Sequence, residues 1–310
     1  MLSKVFILSL FSGLAASQRP SNISICDWYA EKLFGANSAA NQQLVMTHIT
    51  NTAIIGNYTT PNVGISVRGI APITNYNGTD VNLLNYFDAA LDSTNDGVTP
   101  HGVAKLFLDD GGATPLAMSL ASIGNTSSAQ FNLVTHVWQY FGVLLNCSLQ
   151  GTDGFPSYKG RQSMYEVHKF MDSTEFEQGW FVYELAQAAK SIGFSDEDTT
   201  IWYNTMTGLF SYRCAPPVAI GNQPPQLQSI CVAPSCPLAE NADCSLYGEA
   251  VPPTVANATL AGNYTKGTNM TRSTGTPTAS PTPSMFPGVG SVNVARIWEV
   301  VAGLALAFAI

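Results

Sequence analysis

Residues 131–145 read FNLVTHVWQYFGVLL, and this stretch decides the fold class. Phe131, Val134, Trp138, Phe141 and Leu145 recur three and four residues apart, the spacing that gathers side chains on one helix face. Leu133, Val137, Tyr140 and Leu144 widen that face, so the helix is built for burial on a broad front. Further along, Ser163-x-x-Glu166 and Thr174-x-x-Glu177 carry the capping-box pattern that opens a helix. Gly193 ends the second of these helices, and Ser195-Asp-Glu-Asp begins a third that runs to about Tyr212. The chain from 103 to 212 is therefore predicted to be helical.

On either side the pattern fades. Residues 18–100 mix short apolar runs with Asn, Thr and Gly, and a helical period shows only at 28–34, 37–50 and 83–91. Residues 214–250 hold most of the cysteines among prolines, the composition of a stapled coil. Residues 251–287 are Thr, Ser, Pro and Gly, a mucin-like stalk with too little apolar surface to build a core. The expected fold class is mostly α: a helical domain over 101–213, an irregular N-terminal extension packed on it (18–100), and a disulfide-stapled C-terminal coil.

The two ends read as processing signals. Residues 1–17 carry Lys4, an apolar run from Val5 to Leu14 and the small residues Ala15-Ala16-Ser17 before Gln18, the layout of a cleaved secretory signal. Residues 288–310 place Gly288, Val289, Gly290 and Ser291 before a spacer with Arg296 and Glu299, then an apolar tail over 300–310. That tail falls short of the ~20 residues a spanning helix needs. Small residues, a polar spacer and a terminal apolar run form a glycosylphosphatidylinositol (GPI) anchor signal, with Gly288 as the attachment residue. The alternative is a degenerate transmembrane segment. The whole layout implies an extracellular protein tethered to the plasma membrane or cell wall, of a fungal or similar type.

Composition narrows the function. Charged residues are 11% of the 310, and 13 basic against 21 acidic side chains leave a net charge of -8. Such a chain has no basic footprint for a phosphate backbone, which excludes nucleic acid as a partner. Solubility must come from elsewhere, and eight Asn-x-Ser/Thr acceptors supply it: Asn22, Asn57, Asn77, Asn125, Asn146, Asn257, Asn263 and Asn269. Six cysteines (Cys26, Cys147, Cys214, Cys231, Cys236 and Cys244) predict three disulfides in an oxidising compartment. No Cys-x-x-Cys pair stands among them to suggest a metal cluster.

Four histidines are present, so each can be weighed. On a helix from Met164, the positions Met164, Val167, His168 and Met171 share one face, which puts His168 in an apolar stripe. Such an imidazole is either a core histidine bonded to a backbone carbonyl or a ligand to something bound inside. His136 falls beside Asn132, Thr135 and Gln139 on a polar flank. His48 and His101 lie in segments that suggest no role. Asp109-Asp110, on a Gly-rich turn, offer the paired carboxylates of an extracellular glycoside hydrolase, although Asp-Gly is also ordinary turn chemistry.

The order His136-Val-Trp-Gln-Tyr-Phe141, Tyr158-Lys-Gly160-Arg161, Met164…His168, Phe176, Ala188-Ala189 and Gly193 resembles the truncated haemoglobins. It extends back to Phe107…Pro115-Leu116 if those residues stand for the start of that family's distal side. The resemblance implies a globin-like domain holding haem, with His168 as the axial ligand to iron. It implies that Phe107, Leu133 and Val137 form an apolar distal side, that Phe141 and Met164 line the slot, and that Arg161 pairs with a propionate. Trp138, Val167 and Phe176 complete the expected lining. An apolar distal side suits a small gaseous ligand such as oxygen and lacks the polar group that cleaves an O–O bond, so the resemblance implies binding rather than catalysis. Two other functions fit the same residues: a non-enzymatic surface glycoprotein with a globin-like scaffold and no cofactor, and the hydrolase with paired acids.

Overall fold

The computed structural model describes residues 18–59, 62–262 and 264. The leader over 1–17, the acceptors Asn263 and Asn269, the stalk beyond Tyr264 and the tail with Gly288 lie outside the described residues. Within them the protein is mostly helical and carries one small two-stranded sheet.

Two helices open the fold. Ser24 accepts the amide hydrogen of Asp27 and starts α1 (Ile25–Phe34), which Gly35 closes in the left-handed region at φ 83°. Ser38 caps α2 (Ala39–Ile55) in the same way. α2 is buried nearly all round and packs against α1, α4 and α6, so it is the axis of the main core. The expected irregular extension is thus corrected at its centre, where residues 25–55 form the middle of the domain. The reason lies in α2's polar residues. Gln42 is fully buried, donates to Asp27 Oδ1 at 2.8 Å and accepts the Leu149 amide hydrogen at 2.9 Å. Asn51 donates to the Leu116 carbonyl at 3.0 Å and accepts from Trp138 Nε1 at 3.2 Å. Buried polar groups that are bonded in this way cost little.

The chain then turns through a hairpin, β1 (Thr74–Tyr76) and β2 (Thr79–Val81), closed by Asn77-Gly78 with both φ positive, at 52° and 84°. Where a helix was expected over 83–91 there is one 3₁₀ turn, Leu84–Tyr86, and Ala89 at φ 65° ends any continuation. Residues 103–112 are not helical either, because Gly111 and Gly112 adopt φ 99° and 56°. A short α3 (Ala113–Ala117) follows them.

The helices read from the 131–145 stretch onward are all present: α4 (Ala129–Leu144), α5 (Met164–His168), α6 (Glu175–Ser191) and α7 (Asp196–Phe210). At the head of α6 both arms of the Thr174–Glu177 capping box are formed. At α5 only the Ser163 arm forms, since the Glu166 carboxylate pairs with Lys169 at 2.9 Å instead. Gly193, at φ 110°, turns the chain from α6 into α7.

Two apolar clusters result. The main core joins α1, α2, α4, α6 and α7 around Tyr29, Met46, Ile49, Phe141, Leu185 and Trp202. The second sits on the other side of α6, where Trp180 meets Ile70, Tyr76, Tyr86 and Leu91. Glu184, buried on α6, accepts the Gly69 amide hydrogen at 2.6 Å and so fastens the loop between them.

Three disulfides close the fold: Cys26–Cys147, Cys214–Cys244 and Cys231–Cys236. Disulfides of this number belong to a secreted or extracellular protein. No helix among the described residues is long and apolar enough to cross a membrane. The six described glycan acceptors, Asn22, Asn57, Asn77, Asn125, Asn146 and Asn257, are all exposed. Residues 254–261, which the sequence assigned to the start of the stalk, are part of the fold. Val255 bridges to Leu91, Ala256 and Asn257 donate to the Ala90 carbonyl, and α8 (Ala258–Ala261) buries Ala261 in the second cluster. Backbone hydrogen bonds dock this segment, which its side-chain composition could not reveal.

Candidate functional site

His168 is the last residue of α5. Its Nδ1 lies 2.8 Å from the Met164 carbonyl oxygen one turn earlier. A carbonyl only accepts, so Nδ1 carries the proton and Nε2 holds the lone pair of the neutral ring. No described residue bonds Nε2. Burial pushes the pKa of His168 down and outweighs the opposing pull of the Met164 carbonyl, so the ring is neutral at neutral pH. The imidazole sits deep among protein atoms and still keeps accessible surface.

Its neighbours along the chain join two cores. Val167 packs on the main cluster, whereas Met171 and Phe176 pack on the second. All three are half-buried apolar side chains. α5 therefore lies at the seam between the cores.

A half-enclosed apolar cleft of about 80 Å³ lies nearer α2, lined by Ile54, Ile55, Phe87, Phe107, Leu116, Leu133 and Val134 among others. Of the residues expected to hold haem, Phe107 and Leu133 meet here. Val137, one turn on, is half-buried against the main core. Phe141 is not part of the cleft: it is buried and stands edge-on to Trp202 with ring centres 5.2 Å apart. Phe141 lies two turns along α4 from Val134, on the same face but past the end of the cleft, where it packs against Trp202 of α7. Trp138 is itself held in the core by its bond to Asn51.

Met164 is also core, and its amide donates to Gln228 Oε1 at 3.2 Å. Arg161 is exposed and lays its guanidinium over Gly97. The expected set is thus divided between seam, cleft, core and surface, and no residue of α5 lines the cleft.

The other candidates resolve into structural roles. Asp109 accepts the amide hydrogens of Gln130 and Ala129 at 2.9 and 3.0 Å, which places an anion at the head of α4. Burial, the largest single influence, raises its pKa, but those amide bonds together outweigh it and hold the carboxyl below its usual range, the reverse of what a general acid needs. Asp110 accepts the Asn125 amide hydrogen at 2.9 Å. Both carboxylates of the expected acid pair are committed to the backbone. His136 is half-buried, its pKa lowered by burial, and stands edge-on to Tyr158 at 5.9 Å. His101 is exposed.

One histidine escaped the sequence reading. His48, on α2, is 5% exposed between the rings of Phe34 and Tyr58, with ring centres 5.4 and 6.1 Å away. Its Nδ1 is buried without a partner, and burial pushes its pKa down to about 4. Reading the helical stretch at 37–50 as a buried central helix, rather than as part of an irregular extension, would have revealed it.

A bare metal ion needs three or four protein donors. No group of three His, Cys, Asp or Glu side chains among the described residues could hold one. A lone neutral imidazole fits a different kind of metal, one that brings its own equatorial ligands, as iron in a porphyrin does. His168 fits that requirement in tautomer and in charge. No family model, curated protein or solved structure matches this chain.

Proposed function

We propose that the protein is a surface-displayed haem protein, carried by a GPI lipid on the outer face of the cell, which binds a small gaseous ligand such as oxygen. The observation that carries this reading is the bond from His168 Nδ1 to the Met164 carbonyl. It fixes the proton on Nδ1, leaves the Nε2 lone pair available and holds the ring in one orientation, as outer-shell partners of metal-bound histidines do. Haem, if bound, would supply an iron able to take a diatomic molecule. Val167 and Phe176 would cover the macrocycle at the seam, whereas Phe107 and Leu133 face a cleft that α5 does not line and would have to move to reach a macrocycle held at His168. None of these side chains donates a hydrogen bond, so discrimination among diatomic ligands would be weak. For the same reason O–O bond cleavage is not expected. Arg161 lies against Gly97 and would have to leave that contact to pair with a propionate.

The GPI anchor at Gly288 and the mucin-like segment beyond Tyr264 are part of the same proposal and rest on the sequence alone. The test of the haem reading is a titration of the secreted protein with haemin. Saturation near one equivalent with a strong Soret band supports it. A featureless linear response refutes it.

A second reading rests on the same bond. The Met164 carbonyl satisfies His168 as it would any core histidine, so a cofactor-free glycoprotein scaffold also fits. The two readings differ at Nε2, which must acquire a ligand in the first and none in the second.

A further inference from the structure

We infer that the cleft between α2, α3 and α4 is a binding site for a small uncharged apolar molecule of a few carbon atoms, independent of any metal at His168. The walls are hydrocarbon: Ile54, Ile55, Phe87, Leu116, Leu133 and Val134. Gln130 is the polar side chain among the lining residues, and it has nothing left to offer a ligand. Its Oε1 accepts the Gly112 and Asp110 amide hydrogens at 2.9 and 3.3 Å, and its Nε2 donates to the Gly112 and Ala121 carbonyls at 2.9 and 3.0 Å. A polar or charged ligand would lose its hydration in this cleft and gain no partner. Water in the enclosed part of the cleft is held weakly, since the hydrocarbon walls give it no hydrogen-bond partner.

The cleft is also held open. The Phe107 amide donates to the Phe87 carbonyl at 2.7 Å, and Asp109, Asp110 and Gln130 pin the following turn to the head of α4. A wall fastened at so many points resists collapse inward, so apolar surface in the cleft stays uncovered until something fills it. Its volume of about 80 Å³ is roughly half that of an engineered dry cavity of ~150 Å³ known to admit benzene or xenon. A short alkyl chain or a single noble-gas atom is the matching size. The wall comes from α2, α3, α4 and the loops carrying Ile70, Phe87 and Phe107, and α5 supplies none of it.

The test uses the secreted, haem-free protein with xenon and with propane as probes, read by methyl NMR. Saturable shifts confined to the methyl groups of Ile54, Leu116, Leu133 and Val134 are expected. Leu133→Phe, which fills the cleft, should weaken binding at least tenfold, whereas Leu238→Ala on the exposed surface should leave it unchanged. If Leu133→Phe does not fold, the xenon shifts of the unsubstituted protein decide alone. Shifts that never saturate, or that spread over the exposed Met118, Leu120 and Ile123, would overturn the inference. So would binding seen only after haem is loaded, an outcome that would leave the haem reading standing.

Discussion

Nδ1 of His168 and the carbonyl oxygen of Met164 lie 2.8 Å apart within a helix only five residues long. The bond determines which nitrogen is basic, and its acceptor is a backbone carbonyl rather than another side chain. Everything proposed for iron follows from that one contact. The apolar cleft does not depend on it.

Acid should weaken the fold through His48. Its folded pKa of about 4 lies below the usual 6.5, so the native state favours the neutral ring. The stability this adds is complete above about pH 6.5 and is lost as the pH falls toward about 4, up to ~3 kcal/mol. Urea midpoints measured for the protein and for His48→Phe should diverge in slope over that window. His168 and His136, also lowered by burial, contribute in the same direction in both proteins. Equal pH dependence in the two would contradict the assignment.

Asp109→Ala should destabilise the domain by about 1 kcal/mol, because α4 loses the anion that accepts its first amide hydrogens. Thermal melts check this. If a glycoside hydrolase activity were found and vanished in this variant without a change in stability, the structural role would be wrong.

Much of this organisation was legible before the structure. The apolar spacing of 131–145, the Thr174–Glu177 box and Gly193 mark α4, α6 and their limits by local rules that tertiary contacts do not override. α2 was harder to read as a core element, because Gln42, Thr47, Asn51 and Thr52 look like surface residues until their partners on distant segments are known. The docking of 254–261 was illegible for a related reason, as it depends largely on backbone bonds to Ala90 and Asp92. At the candidate site, the stripe containing His168 could be read. The separation of Phe141 and Met164 from Phe107 and Leu133 could not, since it depends on which part of α4 the other helices cover.

The three disulfides should contribute unequally. Cys26–Cys147 closes a separation of 121 residues, Cys214–Cys244 one of 30 and Cys231–Cys236 one of 5. Loop-closure entropy then predicts losses of about 5, 4 and 2 kcal/mol when each pair is replaced by alanines. Denaturation midpoints should follow that order. Alkylation of the unfolded, unreduced protein should add no mass, and labelling of two or more cysteines would contradict the pairing.

The anchor proposal makes a separate prediction. A phosphatidylinositol-specific phospholipase should release the protein from intact cells bearing a cleavable form of the lipid, and the released chain should lack residues 300–310. Mature protein that retains that tail would contradict it.

The most direct measurement is the absorption spectrum of the haemin-titrated protein beside His168→Ala and His136→Ala. An imidazole whose Nε2 ligates iron predicts a strong Soret band near one equivalent of haem in the unsubstituted protein. That band should be lost or shifted in His168→Ala and largely retained in His136→Ala. A folded protein that takes up no haem, or a Soret band indifferent to His168→Ala, would contradict the account.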